Sequence, residues 1–400
     1  MLRSESLRRW LPTLGAAIPL TIFPIAVLSL PLAAAQEMRL SAAETPSWIM
    51  ALYGLPGLLG LLLAIRYRQP LLLTGNIFVL IFIASLGGRL SYPELVGASV
   101  VAGASVLLFS ALGLTARLAA WIPAPIVLGL LAGAVMPFVS DIFTSLGDSP
   151  ALVGGTLLAY LLSRRVLGTR LPAILPALVA GLAIAALGGE FGQVPAARLP
   201  LPIPTVTAPV FSVHAIATAT PVLVILITLQ SNLPSLVSLR NHGYHPPERV
   251  IENVSGVSTL LGSLLGPTAV SLSLPVTALV AGPGAGEHQF RHRAVYLASG
   301  PVLLIALLAG IAADLPEIVP LPLLLALAGL AVVDLLADAL RQITQGPLVL
   351  GPLFAFAISL SKISILGFGP FFWALVIGTG ISLLLERDEL QMLRSSGSSG

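Results

Sequence analysis

Apolar residues form long continuous runs along the whole chain, and short stretches containing Arg, Pro and Gly separate them. A helix that spans a bilayer needs about 20 such residues, and a half-helix needs fewer. Because the runs do not alternate, they predict helices and not a transmembrane barrel. The runs are 12–34, 47–65, 70–87, 94–114, 123–143, 150–163, 171–188, 213–239, 250–265, 267–282, 294–312, 318–338, 347–364 and 367–385. The pattern predicts an all-α polytopic membrane protein with fourteen transmembrane segments.

Two of these segments depart from the helical pattern. Segment 70–87 opens with a proline and soon meets Thr74-Gly75-Asn76, while segment 267–282 alternates Val270-Ser271-Leu272-Ser273 before Pro275. Alternation has the period of a strand, so each segment predicts a short extended piece followed by a half-helix. They are the third and tenth segments, which are equivalent positions in two sets of seven. This pairing predicts a 7+7 inverted repeat with a substrate site at the two breaks.

The eighth segment carries an unusual polar group, because Gln230, Ser231 and Asn232 come just before Pro234. Pro234 removes a backbone donor, and half-helix N-termini attract anions. The amides therefore predict ligand contacts, with Asn232 the closer because it lies nearest the break. The alternative is that they only bridge neighbouring helices. The candidate substrate-binding residues are Gln230, Ser231, Asn232, Thr74, Gly75, Asn76, Ser271, Ser273, and Thr21 and Phe23 of the first segment.

The composition and the distribution of charge indicate a membrane protein and not a soluble or nucleic-acid-binding one. Hydrophobic residues make up 56% of the 400 residues and charged residues only 9%, whereas soluble domains carry about 25% charged residues. The net charge of +3 does not favour nucleic acid, because its placement follows membrane topology. With the N-terminus inside, 16 of the 20 Lys and Arg residues fall on the inner side, and 4 fall outside: Arg39, Arg89, Arg198 and Lys362. This asymmetry predicts that both termini are cytoplasmic.

Enzyme and metal chemistry find little support in the sequence. The chain has no cysteine, no Walker motif and no nucleophile–base pair, so we expect neither catalytic residues nor a cofactor. The pairs His242/His245 and His288/His292 lie in loops beside Arg, and we expect no metal there. Asp334 and Asp338, followed by Arg341, favour an ion-paired helix end. Residues 393–400 resemble an appended linker, and we treat them as a tail.

The chain resembles the benzoate membrane transporter (BenE-type) family. The resemblance is carried by SWIMALYGLPGLLGLLLAIRYRQP at 47–70, LVGASVVAGASVLLFSALGLTARLAAWIP at 95–123, ITLQSNLPSLVSLRNHGYHPP at 227–247 and GPTAVSLSLPVTALVAG at 266–282, and it extends over about 12–385. It implies the fold of nucleobase–ascorbate and sulfate-type anion carriers. In that fold a core domain, here 1–119 and 213–313, holds substrate, and a gate domain, here 120–212 and 314–392, packs against it.

The resemblance also implies an activity: secondary active transport of a small organic anion, such as benzoate or another aromatic carboxylate, by proton symport with alternating access across a bacterial inner membrane. The expected partners are this anion and the lipid bilayer, with no nucleic acid, and a homodimer is left open. The coupling ion would be H⁺. Two alternatives remain at this stage, namely a sulfate-type anion exchanger or channel-like carrier, and a non-transporting membrane scaffold.

Overall fold

The computed structural model describes residues 24, 28–115, 123–167, 172–192, 203–361, 363, 365 and 368–397. The predicted site residues Thr21 and Phe23 lie outside the described residues. The helices are α1 Ser29–Glu37, α2 Glu44–Tyr67, α3 Ile77–Ser85, α4 Tyr92–Leu112, α5 Ala124–Asp148, α6 Pro150–Leu167, α7 Ile174–Gly188, α8 Val213–Ile227, α9 Leu233–Asn241, α10 Glu248–Gly262, α11 Leu274–Ala281, α12 His292–Leu307, α13 Ala309–Ile318, α14 Leu321–Gln345, α15 Leu350–Leu360, α16 Pro370–Leu385 and α17 Arg387–Gly397. Two strands, β1 Leu73–Gly75 and β2 Val270–Leu272, complete the described elements together with short helical turns.

Five helical stretches within the described residues are long and apolar enough to cross a membrane: α2, α4, α5, α14 and the continuous run Val213–Asn241. The stretch His288–Leu307 and α13 would form a sixth span, bent by 67° at Leu308. The other apolar helices, such as α7, α15 and α16, are shorter. These helices make the chain a multi-pass membrane protein, while the fourteen crossings and their inverted repeat stay predictions.

The two irregular segments have the predicted local structure. β1 pairs antiparallel with β2, and Thr74 lies opposite Ser271 in the register. Each strand is followed by a short helix, α3 after β1 and α11 after β2. The pairing provides hydrogen bonds for backbone N–H and C=O groups that would otherwise be unpaired in an apolar environment where the helix is interrupted. An extended piece followed by a half-helix is thus confirmed for the third and tenth segments.

Packed helices surround the strand pair, in which Leu73 and all three residues of β2 are buried. α2 packs along α12, α4 packs against α8 and α10, and α5 packs along α14 and α15. α1 contacts both α3 and α14, which links the predicted core and gate parts. The largest cluster of buried apolar side chains includes Ile81, Phe82 and Ile83 of α3. The half-helix α3 is therefore held by packing in spite of its length of 9 residues.

A buried carboxylate fixes the start of α15, at a distance from the strand pair. Glu386 follows α16 and accepts hydrogen bonds from the backbone N–H groups of Val349 (2.6 Å), Leu350 (2.6 Å) and Gly351 (3.0 Å) and from the Ser382 hydroxyl (2.7 Å). Burial alone would raise the pKa of Glu386, but these donors outweigh it and lower the pKa below its ordinary value. A charged group here caps a helix N-terminus, where negative charge is favourable.

Candidate functional site

The eighth segment is distorted where its polar residues lie. Residues Thr228–Asn232 form a single π-helical turn between α8 and α9, and the Leu233 N–H donates to the carbonyl oxygen of Thr228. Pro234 has no N–H, so it cannot donate to the carbonyl of Gln230 four residues earlier. A π-bulge is one known response to such a gap and is frequent at functional sites. The eighth segment is thus irregular at the residues that carry its polar side chains.

Asn76 joins the three broken segments. Its Oδ1 accepts from the N–H groups of Phe78 (3.0 Å) and Val79 (3.1 Å), which caps α3. Its Nδ2 donates to the hydroxyls of Ser231 (2.9 Å) and Ser271 (3.0 Å) and to the Leu226 carbonyl (3.3 Å). The side chain is almost fully buried, at 3% exposure. Asn76 thus links β1, β2 and the π turn through one amide.

Asn232 fixes the second strand in a similar way. Its Oδ1 accepts from the Leu272 N–H at 2.9 Å, and its Nδ2 donates to the Ser255 hydroxyl of α10 at 3.1 Å. The residue is 1% exposed. We call Asn76, Ser231, Asn232, Ser255 and Ser271 the amide cluster. Its amides use their polar atoms on protein partners, as buried polar groups usually do.

A cavity of about 260 Å³ lies beside the amide cluster. Its wall is mostly apolar and comes from the first, second, third, tenth and eleventh predicted segments and from Pro172 before α7. The lining residues are Pro24, Leu30, Leu52, Tyr53, Leu72, Leu73, Thr74, Gly75, Ile77, Leu80, Pro172, Ser273, Pro275, Val276, Leu279 and Val302. Ligand pockets are commonly about 300–1,000 Å³, so this cavity, just below that range, suits a ligand of few atoms.

Three hydroxyl-bearing side chains line this cavity: Tyr53 on α2, Thr74 on β1 and Ser273 before α11. Among the described residues, none of these hydroxyls makes a hydrogen bond. A hydroxyl offers one donor and two acceptor positions. We call these three groups the cavity hydroxyls. They are available to a ligand, in contrast to the polar atoms of the amide cluster.

The two half-helices beside the cavity differ in whether a side chain caps the N-terminus. At α3, Asn76 occupies the N–H groups of Phe78 and Val79. At α11, no side chain caps the N-terminus, and Pro275 stands in the first turn. Leu274 and Val276 therefore carry the free N–H groups of that turn, because Pro275 has none. Val276 lines the cavity and Leu274 does not, so the uncapped N-terminus of α11 adjoins the cavity through the Val276 end of its first turn.

Gly75 allows a close approach between β1 and α2. A Cβ atom at this position would lie 2.4 Å from the Leu52 carbonyl oxygen, which is far too near. That carbonyl would normally accept from the N–H four residues later, but this residue is Pro56. Leu52 and Gly75 both line the cavity. The Leu52 carbonyl, which lacks its usual helical donor, thus lies against Gly75 of β1, beside the cavity.

The structure divides the predicted site residues into three groups. Thr74, Gly75 and Ser273 line the cavity, whereas Asn76, Ser231, Asn232 and Ser271 belong to the amide cluster. Gln230 is partly exposed, does not line the cavity, and makes no side-chain hydrogen bond to another described residue. Ligand contact by any of these residues stays a prediction.

Tyr53 is a candidate that the sequence reasoning missed. In sequence it appears as one aromatic residue in an apolar span, which is typical of packing. The sequence did contain a signal, namely Pro56, three residues later. A proline inside a helix leaves a backbone carbonyl without its donor, and this argument, applied above to Pro234, also applies to Pro56 in α2. In the two histidine pairs, His242 Nδ1 lies 2.8 Å from the carbonyl oxygen of Ser238, and His288 Nε2 lies 3.0 Å from that of His242.

Comparisons with known proteins agree with this architecture. The sequence profile of the family described as "Benzoate membrane transport protein" (BenE) matches residues 10–384. The benzoate membrane transport protein of Acinetobacter baylyi is 27% identical over 348 residues, which cover 86% of this chain and 87% of that protein. The inner membrane protein YdcO of Escherichia coli is 26% identical over 342 residues, 84% of this chain and 86% of that protein.

Solved structures show the same fold at low identity. SLC26A9 matches with a TM-score of 0.60 and 15% identity over 94% of this chain, which spans only 65% of that protein's length. Murine Slc26a9 in the inward-facing state matches with a TM-score of 0.63, 15% identity and coverage of 95% and 68%. The transmembrane domain of the cyanobacterial bicarbonate transporter BicA matches with a TM-score of 0.54, 15% identity and coverage of 93% and 97%.

The profile match covers nearly the whole chain and agrees with the apolar helices and the family resemblance. The family and the relative from Acinetobacter baylyi are both named for membrane transport and not for an enzymatic reaction. The chain is therefore a multi-pass membrane transport protein that belongs to the benzoate membrane transport protein family.

Proposed function

We propose that this chain is a secondary active transporter of a small organic anion, an aromatic carboxylate such as benzoate, driven by proton symport. The observation that carries the proposal is the cavity between β1–α3 and β2–α11. Its apolar wall suits an aromatic ring, and the cavity hydroxyls and the uncapped N-terminus of α11 suit a carboxyl group. The named activity of the relative from Acinetobacter baylyi supports the same substrate class.

The proposed mechanism is alternating access. A core domain, residues 1–119 and 213–313, would hold the substrate at the two breaks, and a gate domain, residues 120–212 and 314–392, would pack against it. The pairing of β1 with β2 supports a rigid core, because it joins both halves of the sequence in one unit. We also propose the 7+7 inverted repeat, fourteen crossings and two cytoplasmic termini in a bacterial inner membrane.

Topology can be tested directly, because the chain contains no cysteine. Glu190→Cys, in the exposed connection after α7, should react with an impermeant thiol reagent added outside intact cells. Asn241→Cys, at the exposed end of α9, should react only after the membrane is opened. Labelling of both positions from the same side would contradict the fourteen-crossing arrangement.

The transport proposal is tested with purified protein in sealed liposomes. Labelled benzoate should accumulate when the outside is more acidic than the inside, and a protonophore should abolish the accumulation. Liposomes without protein and liposomes with excess unlabelled benzoate are the controls. Accumulation that persists with the protonophore, or that needs no proton gradient, would contradict proton symport.

A sulfate-type anion exchanger is the second candidate function, and the structural similarity to SLC26A9 and BicA supports considering it. An exchanger would take up labelled substrate only when a counter-anion is trapped inside the liposomes. Symport predicts the same initial rate with and without trapped anion. The family assignment argues against the scaffold alternative, since the family is named for transport.

A further inference from the structure

The cavity wall is electrically neutral over its described part. Every described lining residue is apolar or carries a hydroxyl, and none is Asp, Glu, Lys, Arg or His. The residues next to Pro24 in the chain, 21–23 and 25–27, are uncharged by sequence as well. A carboxylate in this cavity would therefore meet dipoles but no cationic side chain of the described wall.

An isolated carboxylate is costly to transfer into an apolar surrounding, and such groups commonly take up a proton instead. The partial positive charge of α11 helps an anion, but this helix has only 8 residues and its first turn lacks the N–H of Pro275. The wall also contains acceptors, which repel a carboxylate. These observations together favour a ligand that both donates and accepts hydrogen bonds.

The positions of donors and acceptors fit an undissociated carboxyl group. The free N–H groups of α11 can donate to its carbonyl oxygen. On the facing α2 side, the Leu52 carbonyl lacks its usual helical donor because residue 56 is proline, and the Tyr53 hydroxyl can also accept. The O–H of the acid supplies the donor that these acceptors need, whereas a carboxylate has none.

We propose that the carboxyl group occupies this cavity as the undissociated acid, so that the transported proton is carried on the substrate and not on a side chain. This inference rests on the proposed function. The carboxylate takes up one proton from water on the side of entry, forming one O–H bond, and releases that proton to water on the side of exit. Substrate and proton then cross together with no net charge.

The experiment measures the affinity of the purified full-length protein for benzoate and for ring-substituted benzoates of different pKa, between about pH 3 and pH 7, a range that brackets the carboxyl pKa of about 4. The Kd for total ligand should rise tenfold for each pH unit above the pKa of the ligand, because only the undissociated fraction binds. The pH at which this rise begins should move with the pKa of each ligand. Calorimetry in buffers of different ionisation enthalpy should show uptake of one proton per ligand bound.

Two results would overturn the inference while leaving the transport proposal intact. A Kd that does not change with pH would show that the anion binds. A rise that begins at the same pH for every ligand would assign the proton to a side chain of the protein. Absence of binding by every aromatic carboxylate at every pH would instead overturn the proposed function and this inference together.

Arg170 provides a separate arm, because it is two residues from Pro172 in the sequence and is the nearest basic residue to that lining position along the chain. The inference expects Arg170→Gln to keep the affinity within about twofold and to keep the same dependence on ligand pKa. A loss of tenfold or more in affinity, with a wild-type Kd independent of pH, would identify a counter-cation and overturn the inference. Melting temperature on the same sample separates this result from misfolding.

Discussion

The amide cluster and the cavity hydroxyls both adjoin the β1–β2 strand pair, yet among the described residues the atoms of the one group are hydrogen-bonded to protein and those of the other are not. Ser271 is 1% exposed and receives a hydrogen bond from Asn76. Ser273, two residues later, lines the cavity and makes no side-chain hydrogen bond to another described residue. The same contrast separates Asn76 from Thr74. The state of its hydrogen-bonding atoms, not the polarity of a residue, therefore distinguishes structural groups from groups available to a ligand.

The contrast gives the two regions different expected responses to mutation. A buried donor or acceptor that loses its partner costs about 1–3 kcal/mol, so changes in the amide cluster should lower stability first. A cavity hydroxyl makes no hydrogen bond to a described residue, so removing it leaves no buried group unpaired. Its removal should therefore lower ligand affinity before it lowers stability. Melting temperature and ligand affinity, measured on one sample, separate the two responses.

Asn76→Ala should have the largest effect on stability. The change removes the cap of α3, worth about 0.5–2 kcal/mol, and leaves the partners of its Nδ2 group without a donor. We expect a loss of about 3 kcal/mol in the free energy of unfolding in detergent, as the sum of these two losses. Asn76→Asp is the matched control, because it keeps an oxygen for the cap and loses the Nδ2 donor. Normal stability with lost affinity in Asn76→Ala would place Asn76 among the ligand contacts.

Glu386→Gln tests a third kind of group, a buried carboxylate whose oxygens are hydrogen-bonded to protein and which can take up a proton. Glutamine keeps one acceptor but faces the N–H groups of residues 349–351 without charge, so we expect a loss of about 2 kcal/mol at pH 7, as for a charged hydrogen bond. The folded-state pKa of Glu386 is lowered. Its contribution to stability is thus present above the unfolded value near 4.5 and is lost as pH falls through the folded value.

The measurement is the difference in stability between wild type and Glu386→Gln as a function of pH. That difference should be constant above about pH 5 and should shrink as the pH is lowered below the unfolded pKa. Ligand affinity should stay unchanged, because Glu386 lies among α15, α16 and α17 and not at the cavity. A difference that grows on acidification would contradict the capping role of the carboxylate.

The sequence predicted the breaks but not the partners of the polar atoms near them. Strand-like alternation at 270–273 and the prolines of both segments are local features, and local features predicted the two strand–helix units. The acceptors of the Asn76 Nδ2 group come from residues 150 to 195 positions away. Such hydrogen bonds depend on how the helices pack against one another, and the periodicity of apolar residues does not predict them. For the same reason the sequence reasoning named Asn232 as the closer ligand contact and did not consider Tyr53.

Asn232→Ala tests that choice directly. The geometry expects a loss of about 1–2 kcal/mol in stability, because the Leu272 N–H of β2 and the Ser255 hydroxyl each lose a partner. Affinity should change by less than about threefold, or under 0.7 kcal/mol. The sequence-based hypothesis expects a loss of about ten- to hundredfold in affinity, as for a polar contact to a charged ligand. Ser255→Ala and the double variant should show non-additive losses of stability if the pair is structural.

Tyr53→Phe should have the smallest effect on stability and should act on binding alone. The change removes a hydroxyl that lines the cavity and has no partner among the described residues, so the melting temperature should stay within about 2 °C, corresponding to under 0.5 kcal/mol. A neutral hydrogen bond to the ligand is worth about 0.5–1.5 kcal/mol, so affinity should fall about two- to tenfold. Ser273→Ala should behave in the same way at the α11 end. Ser299→Ala is the matched control, because that buried hydroxyl donates to the Val295 carbonyl at 2.8 Å and does not line the cavity. If Tyr53→Phe and Ser273→Ala both keep full affinity while Asn232→Ala loses it, the roles of the two regions are reversed, and the ligand is held by the amide cluster.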